Sequence, residues 1–146
     1  MYKVILLSIC SFLLITSCNL IKPKFSSDII KTEKKYKDIL NAESINVVPN
    51  WSKFDTVVTS SIIITILNPT KLPKNVDDLD TLGLKIAKDY YYYLINKNDY
   101  SEIKIVFNNS KGIPLVANFQ TNQFFTYTFD KLENSNDSII INKNGI

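Results

Sequence analysis

Residues 56–67 read TVVTSSIIITIL, the most strand-like run in the chain. β-Branched residues dominate it, and their stiff side chains suit a pleated surface. By the two-residue period, Val58, Ile62, Ile64 and Ile66 share one face, while Ile63 and Leu67 load the other beside Ser61 and Thr65. A strand apolar on both faces belongs in the middle of a sheet. Asn68-Pro69 ends it.

Downstream, Asn75 followed by Val76-Asp77-Asp78 is a helix start, with Asn75 as the cap and acids in the first turn. The helix is expected to reach about Asn96. At 100° per residue, Leu79, Leu82, Gly83, Ile86, Ala87, Tyr90, Tyr93 and Leu94 share one arc. Gly83 and Ala87 on that arc allow close approach to a sheet. Within the run DYYYYL, 89–94, the arc takes Tyr90 and Tyr93 into the core, leaves Tyr91 at its border near Leu84, and points Tyr92 to solvent. Tyr92, Tyr91 and Leu84 therefore form a small apolar margin that could contact a partner.

A second strand is expected over 102–107, EIKIVF, with Ile103, Ile105 and Phe107 inward. Strand, helix, strand with this connection length predicts a parallel crossover. Asn109 to Gly112 should turn the chain, and 113–120 reads as loop or edge strand because of Pro114. Residues 123–130, QFFTYTFD, alternate, with Phe125, Tyr127 and Phe129 inward and Thr126 and Thr128 outward. They should pair antiparallel with the preceding strand, and Ser138 to Ile141 could add a last edge strand.

Upstream, 26–43 reads as a helix with Ser26 or Ser27 as cap and Asp28 in the first turn. Ile29, Tyr36 and Leu40 form its apolar stripe, with Ile39 beside them. Residues 44–55 read as irregular, with a short strand at Ile45 to Val48 broken by Pro49 and Asn50, and with Trp51 and Phe54 covering the core edge. These elements predict one α+β domain over 26–146. It is a small two-layer sandwich, with a mixed sheet of three to five strands and two helices packed on it.

The chain has 17 basic and 14 acidic residues, and no histidine. All basic residues are lysine, scattered rather than concentrated, which argues against nucleic acid as a partner. The lack of histidine removes the commonest general base and metal ligand. There are three glycines, two cysteines, and no nucleophile-elbow, phosphate-loop or dinucleotide motif. Asp77, Asp78 and Asp80 are the densest carboxylates and the only candidate metal ligands. Their spacing matches no EF-hand loop, and the helix dipole already accounts for their position. No cofactor is implied.

The N-terminus carries a different signal. Lys3 precedes an apolar run, VILLSICSFLLI, over 4–15. That run is shorter than the roughly 20 residues needed to span a bilayer, and it suits a secretory h-region. It ends in Ile15-Thr16-Ser17-Cys18, an aliphatic residue, two small ones and a cysteine. Residues 1–20 thus resemble the signal peptide and lipobox of bacterial lipoproteins. The resemblance implies cleavage after Ser17, a diacylglyceryl group on the Cys18 thiol, and acylation of the new amino terminus. It divides the chain into a signal peptide, 1–17, the lipidated cysteine with a tether, 18–25, and the domain. Cys10 would leave with the signal, so the mature domain would hold no disulfide. The expected location is the cell envelope. If the host is Gram-negative, the outer membrane is implied, because Asn19 rather than aspartate follows Cys18.

The expected role is a non-enzymatic, membrane-anchored lipoprotein that binds an envelope protein. The alternatives are a glycan-, peptide- or lipid-binding or hydrolytic protein using surface carboxylates, and an immunity-type protein.

Overall fold

The β-branched run becomes β2 (Val57–Leu67), flanked on both sides by other strands. β1 (Ser44–Phe54) pairs with it antiparallel, and β3 (Glu102–Ile113) pairs with it parallel. β4 (Ala117–Thr128) closes the order β1-β2-β3-β4 by pairing antiparallel with β3. Among the described residues three α-helices accompany the sheet: α1 (Ile29–Leu40) before it, α2 (Val76–Tyr93) between β2 and β3, and α3 (Phe129–Asn134) after β4. This computed structural model describes residues 21–54, 57–113 and 117–134, with side chains described outside 52–59 and 111–121. Residues 1–17, read above as a signal peptide, Cys18, Pro114 and the segment 138–141 lie outside the described residues.

The α+β class, the mixed sheet and the parallel crossover are as the sequence predicts. α2 starts at its expected cap, where the Asp77 N–H donates to the Asn75 side chain at 3.1 Å. Leu79, Gly83, Ile86, Ala87 and Tyr90 are its buried residues, all on the expected arc. They cover one sheet face, where Ile62, Ile64, Ile66, Ile103, Ile105, Phe107 and Tyr127 are buried. Each such aliphatic side chain contributes about 1.5–3 kcal/mol by leaving water. α1 buries Ile29, Tyr36 and Leu40 as expected, plus Thr32, whereas Ile39 is exposed. The cap of α1 differs from expectation: Asp28 holds that position without a side-chain cap bond, and its carboxylate takes the Lys31 ammonium instead.

Three further expectations need correction. Residues 44–54 are not irregular but one continuous strand, in which Pro49 pairs with Ile62. Among the described residues β1 is an edge strand, with ladder bonds on one side only, so a residue without an N–H is tolerated. Residues 109–112 do not turn the chain; β3 runs through them to Ile113, and β4 starts at Ala117. The last strand stops at Thr128, and Phe129 opens α3 rather than facing in from a strand. There the Thr128 hydroxyl accepts from the Lys131 N–H at 3.4 Å, a short polar side chain acting as a helix cap. Among the described residues the order of α-helices and strands is α-β-β-α-β-β-α, with a 3-10 turn at Lys97–Asp99 before β3.

Residues 21–25, expected to be tether, lie against the domain. Phe25 forms a single antiparallel bridge with Leu94, and its ring meets Tyr90 edge-on at 5.8 Å.

Candidate functional site

The two-residue period that buries one sheet face exposes the other. On that second face, Val48 lies beside Ile63, and Ile63 beside Lys104. In the next row, Asn46, Thr65, Val106 and Phe124 stand side by side. The helices cover the opposite face, and among the described residues none packs here. Val48 is 48% exposed and Phe124 69%. Ile63, Val106 and Leu67 are half-buried by their neighbours in the sheet. The rim is polar. Lys104 pairs with Glu102 at 3.2 Å, and the Asn50 amide donates to the Ser61 hydroxyl at 3.3 Å. The side-chain oxygen of Asn108, in the row with Leu67 and Asn122, is buried with no hydrogen-bond partner among the described residues. An apolar stripe on a bare sheet face, rimmed by polar groups, is the surface type that protein partners cover.

The tyrosine margin is distributed differently. Tyr92 is 70% exposed, its ring edge-on to Tyr93 at 5.1 Å. Tyr91 and Leu84 instead pack against the core. The Tyr91 ring lies edge-on to Phe129 of α3 at 4.8 Å, its hydroxyl donates to Glu133, and the Lys97 ammonium sits 4.0 Å from its centroid. α3, whose first two residues the alternation of 123–130 assigns to a strand, thus occupies Tyr91.

The acidic residues are similarly engaged. Asp77 and Asp78 are exposed in the first turn of α2. Asp80 turns toward the sheet, where the Tyr127 hydroxyl donates to its carboxylate at 2.7 Å and to its carbonyl at 2.9 Å. Between α1 and α2, the Tyr36 hydroxyl donates to Asp89 at 2.6 Å, with Lys35 at 3.6 Å from the same oxygen. Among the described residues no three His, Cys, Asp or Glu side chains come together as a metal site.

These pairs shift the tyrosines upward. Burial is the largest cause at Tyr36, Tyr90 and Tyr127, followed by the carboxylates of Asp89, Glu33 and Asp80 that face them. Burial and then Glu133 push Tyr91 up to about 12. Burial also raises the Glu33 carboxyl. A phenol whose folded pKa is raised stabilises the fold fully below its unfolded value of about 10, and that contribution is lost as pH rises through the folded value. Stability is therefore expected to fall above about pH 10, with tyrosinate absorbance rising in step with loss of helical circular dichroism. Ionisation of every tyrosine while the fold stays intact would contradict these contacts.

A second polar assembly escaped the sequence reading. The Asn96 side chain accepts from the Lys24 N–H at 2.7 Å and donates to the Lys22 carbonyl at 3.3 Å and to Asp99 at 2.8 Å. It latches residues 22–24 to the end of α2. Asn96→Ala is expected to lower stability by about 1–2 kcal/mol. Hydrogen exchange should show residues 21–26 losing protection while β2 and β3 keep theirs. Unchanged protection there would show that the latch is dispensable.

Some of the open face was visible in the sequence, since Ile63 and Leu67 break strict alternation. Val106 and Phe124 are equally out of phase in their strands. The latching role of Asn96 carried no local signal, because Lys22 and Lys24, which it holds, lie more than seventy positions away. No helix among the described residues is long and apolar enough to cross a membrane. No family model matches this chain, and neither a curated protein nor a solved structure does.

Proposed function

We propose that this protein is a lipid-anchored lipoprotein of the bacterial envelope whose α+β domain binds another protein through the bare face of its sheet. The observation that carries the binding role is the apolar stripe of Val48, Ile63, Val106 and Phe124 on a face that no helix among the described residues covers. The anchor rests on Ile15-Thr16-Ser17-Cys18 after an apolar run too short to span a bilayer. The role is non-enzymatic: Asp80, Asp89 and Glu133 each accept a hydrogen bond from a packed tyrosine, which is structural work. The partner's complementary patch is apolar at its centre and polar at its edge, to match Lys104, Glu102 and the surrounding asparagines.

The test places a photo-crosslinking residue at Phe124, and separately at Tyr92, in the acylated protein in native membranes. Capture of one protein at near-stoichiometric yield from position 124, abolished by Val106→Asp in a chain that keeps its circular dichroism, supports the reading. Crosslinks from 124 only to lipid, or to residues 135–146 of the same chain, overturn it. The mass of the mature N-terminal peptide tests the anchor independently.

A further inference from the structure

We infer that the end of the domain formed by residues 21–24 and the last turn of α2 rests directly on the membrane surface, so that the protein is held in one orientation rather than swinging on a tether. This rests on the proposed acylation of Cys18. The chain from Ile21 to Ser26 is fastened by five hydrogen bonds. The Tyr100 hydroxyl donates to the Ile21 carbonyl at 2.6 Å and the Asn96 amide to the Lys22 carbonyl at 3.3 Å. The Lys24 N–H donates to Asn96, the Ile95 N–H to the Lys24 carbonyl at 2.8 Å, and the Ser26 N–H to the Tyr93 carbonyl at 3.0 Å. Only Asn19 and Leu20 separate Ile21 from Cys18. Three Cα steps of 3.8 Å span at most about 11 Å. An acylated Cys18 sits at headgroup level, so Ile21 cannot stand farther than that from it. A flexible linker of a dozen or more residues would free the domain; two residues do not.

The surface at this end has the chemistry of an interfacial contact. Ile21 is 49% exposed and Ile95 65%. Phe25, half-buried, pairs with the buried Leu94, so strand alternation turns their neighbours Lys24 and Ile95 outward together. Lys22 and Lys24 are both exposed. Tyr92, three positions before Ile95, adds an exposed aromatic ring of the kind enriched at membrane interfaces. Apolar side chains that enter the headgroup layer, beside lysines that meet anionic lipids, fit a phosphate-bearing lipid surface. This placement also accounts for the exposed member of the tyrosine run.

The acylated full-length protein is reconstituted in vesicles of phosphatidylcholine and phosphatidylglycerol that carry nitroxide-labelled lipid. An environment-sensitive fluorophore is attached at Asn98→Cys, beside the proposed contact, and in a second sample at Asn122→Cys on the sheet. The position-98 probe is expected to be quenched several-fold more than the position-122 probe. A Gly/Ser spacer of about a dozen residues inserted before Ile21 should erase that difference, as should Lys22→Glu combined with Lys24→Glu. Equal quenching at the two positions, in protein whose mass shows an acylated Cys18, overturns the fixed orientation and leaves the anchor standing. Absence of the acyl mass overturns both.

Discussion

Ile64→Ala is expected to destabilise the fold by about 3–4 kcal/mol, while Ile63→Ala, one residue away on the same strand, should cost under about 1 kcal/mol. Ile64 lies in the central strand between Val47 and Ile105 and is fully buried under the helices. Truncating it removes three carbons and leaves a cavity that the sheet cannot close, because strands on both sides hold the backbone in register. Ile63 faces the bare side, where water already reaches its neighbourhood and refills the space. Chemical denaturation of both variants, followed by circular dichroism, reads the difference. Comparable losses at the two positions would mean that the second face is covered as tightly as the first. The same contrast bears on function. A loss of partner capture in Ile63→Ala with stability nearly intact is what a binding face predicts.

That contrast also shows where the sequence was legible. The run TVVTSSIIITIL placed β2 in the centre of the sheet because two loaded faces are hard to expose at an edge. It did not reveal that no helix among the described residues covers one of those faces, since an apolar side chain looks the same in the sequence whether or not a helix lies over it. The arc on α2 was legible for a similar reason: Leu79, Gly83, Ile86 and Tyr90 repeat at helical spacing, with Asn75 capping one end and acids in its first turn, so local and tertiary preferences agree. Pro49 misled the reading of β1 because an edge position neutralises its cost, and edges are set by the sheet rather than by the strand. Phe129 misled through its alternation with Phe125 and Tyr127, which the Thr128 cap interrupts within one residue. Of the tyrosine margin, Tyr92 was placed correctly in solvent by angle alone. Tyr91 needed α3, which lies nearly forty positions downstream. The latch at Asn96 and the docking of residues 21–25 are contacts between distant segments, invisible to any window of sequence.

Gly83→Ala should destabilise the protein by about 2 kcal/mol even though alanine is the better helix former by about 1 kcal/mol. A Cβ at this position would meet the Tyr127 hydroxyl oxygen at 2.5 Å, the ring carbon bearing it at 3.4 Å and Phe125 at 3.6 Å. The first distance is too short for any real contact, so something must move. Tyr127 is poorly placed to yield: its side chain is buried on β4 and its hydroxyl donates to the carbonyl and to a carboxylate oxygen of Asp80. Moving α2 outward instead would loosen Ile86 and Ala87 from the sheet. Tyr127→Phe alone should cost about 1 kcal/mol, since it removes a part-buried hydrogen bond and returns the Asp80 carboxylate to water. In the Tyr127→Phe background the nearest remaining atom is the ring carbon, an acceptable neighbour after a small shift. There Gly83→Ala should be neutral or stabilising by up to about 1 kcal/mol, giving a coupling of about 2–3 kcal/mol between the two positions. Equilibrium denaturation of the four chains measures it. Additive losses would place the helix farther from the sheet than this contact allows. Strong coupling would establish that a missing side chain on α2 and one hydroxyl on β4 together set the spacing of the two layers.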